Sequence, residues 1–176
     1  MRPFAAADID ELHRLWVDPG VRKFLWDDQV IPRETAVAVV ESSTESFVNH
    51  GFGFWAICFK NDPELIGFSG LRHFTEDGGV KSEVEILYAI APKHWGKGIA
   101  TEAAGAVLDF GFEERELADI YAGADPPNAA SFRVIEKLGM KFARKNTING
   151  VEVVYFVINR GDYQSSLMYI SGLTVK

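Results

Sequence analysis

Glu83 and Glu85 stand two residues apart in "SEVEILYAIA", just before a Gly96-Lys97-Gly98 turn. Residues two apart on an extended chain share a face. Glu83, Glu85, Leu87 and Ala89 therefore line one side, and Val84, Ile86, Tyr88 and Ile90 the other. A carboxylate on such a strand can serve as a general base, or it can simply belong to a solvated face. Spacing alone leaves both readings open. The glycine turn brings a second chemistry. It opens the run Ile99 to Phe112, in which Ile99, Ala103, Ala106, Val107 and Phe110 recur with the period of a buried helix stripe. The first N–H groups of a helix lack partners within it and sit at the positive end of its dipole. Glycines at that point keep side chains away from those amides and tolerate positive φ, which suits a bound phosphate. The plainer reading is a turn that only reverses the chain. A third group lies in "NAASFRVIEKLG": Asn128 is placed as an N-cap, and Ser131 is either an ordinary first-turn residue or a proton donor.

These groups need elements to hold them. "AADIDELHRLWVDP" reads as a helix capped by Asp8, striped by Ile9, Leu12, Leu15 and Trp16, and stopped by Pro19. "PRETAVAVVESSTESFVNHG" reads as a second helix, with "VRKFLWDD" between the two as an irregular stretch. "FGFWAICFK", "ELIGFSGLRHF" and "SEVEILYAIAP" are rich in aromatic and β-branched residues and read as antiparallel strands. Asn61-Asp62-Pro63 and Asp77-Gly78-Gly79 make the turns between them. The glycine-led helix, the strand "ADIYAGA", the helix from Asn128, and the strands "MKFARKNTI" and "VEVVYFVI" follow, the last two joined through Asn149-Gly150. The order α-α-β-β-β-α-β-α-β-β predicts an α/β (α+β) fold: a mixed, mostly antiparallel sheet of about six or seven strands, with about four helices on both faces.

Composition closes off several classes. A net charge of -7 argues against nucleic acid, whose phosphates call for clustered Lys and Arg. No stretch approaches the roughly 18 apolar residues of a membrane span. The start "MRPFAAADIDELHRL" has no apolar core of a signal peptide, so a cytoplasmic protein is expected. A single cysteine, Cys58, allows no internal disulfide and reads as a structural thiol. "GFGFWA" matches a dinucleotide fingerprint by letter but leads into a strand instead of a helix. The four histidines lack ligand spacing, so no metal is expected.

"EVEILYAIAPKHWGKGIATEA" followed by "PPNAASFRVIEKLGM" resembles the GCN5-related N-acetyltransferases, the GNAT superfamily, and within it the branch of RimJ/RimL-type ribosomal-protein alanine acetyltransferases. The superfamily's acetyl-CoA loop, Gln/Arg-x-x-Gly-x-Gly/Ala, falls in register on Trp95 to Ala100. Trp95 departs from the usual Gln or Arg, and a Trp-Gly-Lys-Gly version is familiar in the RimJ-like branch. The resemblance runs from "RPFAAADIDEL" to about "INRGDY" and implies one GNAT domain over 1–160, with 161–176 as a tail of no clear pattern.

What the resemblance implies for the site is specific. Trp95, Gly96, Lys97, Gly98, Ile99, Ala100 and Thr101 would hold the pyrophosphate of acetyl-CoA. The main chain at Ala89 and Ile90 would pair with pantetheine and supply the oxyanion donor. Asn128 would contact the pantetheine arm, and Ser131 would lie near the thioester sulfur as the acid. Glu85-Ile86-Leu87-Tyr88 is similar to the branch's E-I-G-Y and points to Glu85 as the base, acting through water, with Glu83 in reserve. Leu87 stands where that branch has glycine, which narrows the acceptor path. Phe24, Trp26, Phe54 and Trp55 are candidate walls for the acceptor. The implied activity is transfer of acetyl from acetyl-CoA to a primary amine, on a peptide N-terminus or a small molecule, directly within a ternary complex. The alternatives are a coenzyme-A-binding regulatory protein without activity, or an enzyme using another acyl-CoA. A monomer or a homodimer is expected.

Overall fold

The computed structural model describes residues 1–75, 82–148 and 150–163. Its strands are β1 (Arg2–Pro3), β2 (Phe54–Cys58), β3 (Leu65–Phe74), β4 (Glu83–Ile90), β5 (Asp119–Ala124), β6 (Lys141–Ile148) and β7 (Val151–Asn159). They form one sheet in the order β1-β2-β3-β4-β5-β7-β6. Every neighbouring pair is antiparallel except β4 and β5. The α-helices are α1 (Ile9–Trp16), α2 (Pro19–Leu25), α3 (Arg33–His50), α4 (Ile99–Asp109) and α5 (Ala129–Lys137). The fold is the expected mixed α/β sheet with helices on both faces.

The sheet divides the core. On one face Trp55, Leu71, Ile86 and Ile120 pack with Val107, Leu108 and Phe112 of the α4 region and Ile135 of α5. On the other, Phe54 and Phe68 pack with Leu12, Trp16 and Val21 of α1 and α2 and Val40 of α3. Leu87 and Ala89 join this second layer and Tyr88 joins the first, as strand alternation requires. Each half of the sheet is thus buried where a helix covers it. That burial is the main stabilising term for so mixed a topology.

Four local expectations need correction. Residues 19–25 are helical, because Pro19 occupies the first turn and Asp18 Oδ1 accepts from the Gly20 N–H at 2.8 Å. Pro19 therefore starts α2 as well as following α1. Asp8 does not cap α1 forward. Its carboxylate reaches back to the Ala5 N–H at 2.8 Å and pairs with Arg2. That pair anchors β1, which registers with Ala56 and Trp55 and is too short to leave a sequence signal. The buried stripe of α4 is Thr101, Ala103, Ala104, Val107 and Leu108, so Ala106 and Phe110 lie beside it; the helix then widens into a π-helical turn over Phe110–Glu114.

The Asp77-Gly78-Gly79 turn, Asn149 of the last hairpin, and the tail from 164 lie outside the described residues. Gly150 has φ +83°, and β6 and β7 register from Ile148↔Val151. Among the described residues no helix is long and apolar enough to cross a membrane.

Candidate active site

The site begins where β4 ends. Residues 92–94 form a 3₁₀ turn, and Gly96 and Gly98 follow with φ of +74° and +82°. Positive φ costs an ordinary residue about 1–2 kcal/mol, so glycine is required here by conformation. It is not required by crowding, since a Cβ on either residue would meet no heavy atom within 4 Å. The space beside both glycines is open. The Glu102 N–H bonds to the Gly98 carbonyl at 3.0 Å and closes the first turn of α4. The preceding amides of Ile99, Ala100 and Thr101 have no helical acceptor and carry the positive end of the dipole. Lys97 Nζ lies 3.3 Å from His94 Nδ1. Desolvation, and then the charges of Lys97 and Lys93, push the His94 imidazole down. Strand, tight glycine turn and helix start together leave main-chain N–H groups facing open space, an arrangement suited to an anion.

Trp95 turns away from that opening. Its Nε1 donates to the Ile90 carbonyl at 2.6 Å. Its ring lies over α2, so closely that a Cβ on Gly20 would come within 2.7 Å of Trp95 Cη2. The indole joins the glycine loop to both β4 and α2.

β4 and β5 meet at one register pair, Glu85↔Tyr121, and part beyond it. On its other side β4 is fully laddered to β3, and the Ala91 N–H reaches the Ile66 carbonyl at 2.8 Å. Antiparallel alternation then directs the main-chain polar groups of Glu85, Leu87 and Ala89 to β3, and those of Tyr88 and Ile90 to the open side. Ala89 spends its N–H and C=O on Phe68, so the free edge consists of Tyr88 and Ile90. The Ile90 carbonyl is occupied by Trp95, which leaves the Ile90 N–H as a donor.

Glu85 is 5% exposed and stands opposite Arg72 in the β3–β4 ladder. Arg72 Nε donates to Glu85 Oε1 at 2.5 Å, and Arg72 Nη2 contacts the same oxygen. Burial pushes the Glu85 carboxyl above its ordinary range, and Arg72 holds part of that rise back. Glu83 is committed elsewhere, to Arg144, whose guanidinium also lies 4.9 Å from the Tyr121 ring and 5.0 Å from the Tyr155 ring. The two carboxylates share a face but not a partner.

Asn128 caps α5, its Oδ1 accepting from the Ser131 N–H at 3.1 Å. The Tyr88 hydroxyl donates to the Ser131 carbonyl at 3.4 Å, across the gap where β4 and β5 have parted. Burial pushes that phenol up to about 12, with the Ser131 bond opposing, so Tyr88 stays protonated as a tether. Ser131 and Asn128 are thus brought to the open edge of β4 by α5, and the glycine loop reaches the same edge through Trp95.

Two proposed wall residues fall elsewhere. Trp55 is fully buried on the α4 face, and Phe54 belongs to the core under α1. Trp26, at the end of α2, packs against Trp16 beside the same core as Phe54, and Phe24 of α2 is half-buried. Arg72 was not singled out by sequence reasoning. Its signal was the cross-strand register, which residue type and spacing within one segment do not reveal. Cys58 ends β2, paired with Leu65 and two strands from β4, with its thiol pushed up by burial, consistent with a structural role. No cluster of three or more metal-ligating side chains occurs among the described residues.

A family profile described as an acetyltransferase (GNAT) domain matches residues 1–141. The "Uncharacterized protein YkkB" of Bacillus subtilis (strain 168) is 39% identical over 95 residues, covering 54% of this chain and 54% of that one, so the match spans about half of that relative's length. The "Uncharacterized N-acetyltransferase YnaD" of the same organism is 44% identical over 146 residues, 80% of this chain and 78% of that one. The "Spermidine N(1)-acetyltransferase" of Escherichia coli (strain K12) is 30% identical over 167 residues, 95% of this chain and 82% of that one. Among solved structures, a GNAT-family acetyltransferase from Bacillus anthracis superposes with a TM-score of 0.73 at 26% identity, covering 91% of this chain and 93% of that one. RimL, a ribosomal L7/L12 alpha-N-protein acetyltransferase in complex with coenzyme A, superposes at 0.74 with 16% identity, over 92% and 94%, a likeness of fold. Residues 1–141 take in the glycine loop, both glutamates, Asn128 and Ser131, and the chain belongs to the GNAT acetyltransferase family.

Proposed function

We propose that this protein transfers the acetyl group of acetyl-CoA to a primary amine, directly and within a ternary complex. The observation that carries the reading is the parting of β4 from β5 beside the Gly96-Lys97-Gly98 cradle. The residues present fit acetyl-CoA: the cradle is open where a Cβ would stand, and the free edge of Tyr88 and Ile90 suits an extended amide-bearing arm. In this reading the amides from Gly96 to Thr101 hold the pyrophosphate and Lys97 adds charge, while Trp95 braces the loop. Asn128 caps α5 and meets the arm with its remaining amide group. A domain over 1–160 carries all of these groups.

When bound, acetyl-CoA supplies the activated thioester. Glu85 takes a proton from the acceptor amine, through water, so that the nitrogen lone pair can attack the thioester carbonyl. The Ile90 N–H stabilises the oxyanion of the tetrahedral intermediate. As the carbon–sulfur bond breaks, the Ser131 hydroxyl would give its proton to the departing sulfur and regain one, through water, from the nitrogen made cationic by the attack. The amine nitrogen keeps the acetyl group, and coenzyme A leaves as the free thiol.

The relatives support an amine acceptor without agreeing on one: one name specifies spermidine and another a ribosomal protein N-terminus. The RimJ/RimL-type branch remains the preferred place within the family, on the Trp-Gly-Lys-Gly loop and the Asn128–Ser131 pair. A thiol-release screen with acetyl-CoA against polyamines, peptide N-termini and amino acids tests the function, with propionyl-CoA in parallel for the acyl chain. Release with at least one amine is expected. Tight binding of acetyl-CoA with no release for any amine would leave a coenzyme-A-binding regulatory protein as the reading.

A further inference from the structure

We infer that Arg72 is the positioning residue for Glu85: it anchors the carboxylate through Oε1 and leaves Oε2 as the oxygen that receives the proton. The inference rests on the reading of Glu85 as general base given above. Arg72 and Glu85 are direct register partners on β3 and β4. The Arg72 Nε hydrogen bond goes to Oε1, and the shortest ion-pair contact, from Nη2, goes to the same oxygen. No hydrogen bond to Oε2 forms among the described residues, and Oε2 is not a buried orphan. An arginine that satisfies a buried carboxylate frequently straddles both oxygens in a fork. Arg2 does so with Asp8, placing Nη1 on Oδ2 at 2.7 Å and Nη2 on Oδ1 at 2.6 Å. The pair on Glu85 differs in the one respect that matters to a base.

The charges also divide in a way that favours this role. The Arg72 side chain is 54% exposed and that of Glu85 is 6% exposed, so the guanidinium keeps most of its hydration while its charge acts on a buried carboxyl. Without it, burial would hold the proton on Glu85. Among the described residues, the charged or aromatic titratable groups on the strands and helix beside Glu85 have partners of their own. On β4, Glu83 pairs with Arg144 of β6. On β5, Tyr121 lies under that same Arg144, as does Tyr155 of β7. On α2, Arg22 is held by Asp28 at 2.9 Å, and Lys23 lies over the Phe24 ring. Arg72 is the charge that opposes burial at Glu85.

The test follows the Glu85 carboxyl carbon by NMR in the full chain labelled with carbon-13 glutamate, assigned by its loss in Glu85→Gln. Arg72→Gln should raise the titration midpoint by about one pH unit or more, and Arg72→Lys should leave it near the wild-type value. The acid limb of kcat/KM should move by the same amount, with KM for acetyl-CoA unchanged. In a Glu85→Gln background, Arg72→Gln should change turnover by less than about twofold, since coupled residues are not additive. Arg72→Ala carries the same expectation should Arg72→Gln not fold. A midpoint that stays put or falls on removal of Arg72 overturns the inference, as does a rise in turnover, which would make Arg72 a plug. The titration needs no turnover. A wild-type protein that releases no thiol with any amine would therefore sink the base reading while the Arg72–Glu85 coupling stays measurable.

Discussion

Trp95 Nε1 donates to the Ile90 carbonyl at 2.6 Å, and this bond ties the glycine loop to the last residue of β4. The proposed anion cradle and the open strand edge are thereby held at a fixed spacing. The ring also lies against Gly20, so α2 sets the angle of the loop. Trp95→Phe keeps most of the ring contact and removes the bond. A net hydrogen bond contributes about 1 kcal/mol, so acetyl-CoA should bind roughly fivefold more weakly by calorimetry. The melting temperature should barely move, because a loop built on a half-exposed Trp95 can loosen locally without unfolding the sheet. Equal loss of stability and affinity would mean that Trp95 is a core residue and not a brace.

Gly96→Ala and Gly98→Ala separate conformation from access. A Cβ at either position enters open space, so the stability cost comes only from φ of +74° and +82°, about 1–2 kcal/mol each. That open space is where the pyrophosphate is proposed to sit. The affinity for acetyl-CoA should fall by more than tenfold, further than strain alone explains. Affinity that follows stability one for one would remove the loop from the binding site.

The elements of this fold were legible where periodicity was strong. The segments Phe54–Cys58, Leu65–Phe74 and Glu83–Ile90 alternate or stay apolar as strands do, and α3, α4 and α5 carry caps or glycine ends that mark them. β1 and α2 were not legible. Two residues cannot show a period, and Pro19 signals both the end of one helix and the start of the next. Of the site, the glycine loop, Asn128 and Ser131 could be found because their chemistry is local. Arg72 could not, because it meets Glu85 only through strand register. The direction of the Trp95 ring was equally hidden, since it depends on where α2 packs. Ala89 shows a limit of another kind: strand alternation was read correctly for side chains, but the side on which a main-chain N–H points depends on which neighbour the strand pairs with first.

The Arg2–Asp8 pair supplies a test of stability away from the site. Asp8 is buried, which by itself would raise its carboxyl, but the bonds from Arg2 and the Ala5 N–H and the Arg2 charge outweigh this and lower it. A carboxylate lowered on folding contributes stability above its unfolded value of about 3.9, and that contribution is lost as pH falls through the lower folded value. Asp8→Ala should cost about 1–3 kcal/mol at neutral pH, nearer the low end because Arg2 is half exposed. It should also flatten the acid limb of the stability curve. Denaturant unfolding between neutral and acid pH reads both, and an unchanged acid limb would mean that β1 is held by other contacts.

Glu85→Gln should lower turnover by about a hundredfold or more, as loss of a general base does, with the acetyl-CoA affinity nearly intact. The pH dependence has a definite sign. Burial raises the Glu85 carboxyl and Arg72 offsets only part of that, so its proton comes off above the ordinary glutamate value of about 4.3. The proposed base works when ionised. In the wild type, kcat/KM should therefore fall as pH drops through that raised value, and this limb should vanish in Glu85→Gln. A limb that persists in the variant would belong to another group, and Glu83, held by Arg144, is the next to substitute.

Asn128 and Ser131 share a hydrogen bond of 3.1 Å, yet their substitutions should report different things. The Asn128 side chain caps α5, so Asn128→Ala should cost about 1 kcal/mol of stability together with some affinity for acetyl-CoA. Asn128→Asp keeps the cap, and an acidic residue at a helix start is favourable, so stability should recover. Affinity should not recover, because a carboxylate cannot donate to the arm of coenzyme A. Ser131 contributes to the cap only its main-chain N–H, which Ser131→Ala retains. Its hydroxyl makes no hydrogen bond among the described residues and is the proposed proton donor to the leaving thiolate. Ser131→Ala should leave the melting temperature and the acetyl-CoA affinity nearly unchanged and lower turnover by about tenfold to a hundredfold. The loss should shrink with an acyl donor whose thiol has a lower pKa, since a better leaving group needs less help from an acid. If the loss is the same for both donors, Ser131 shapes the site without supplying the proton.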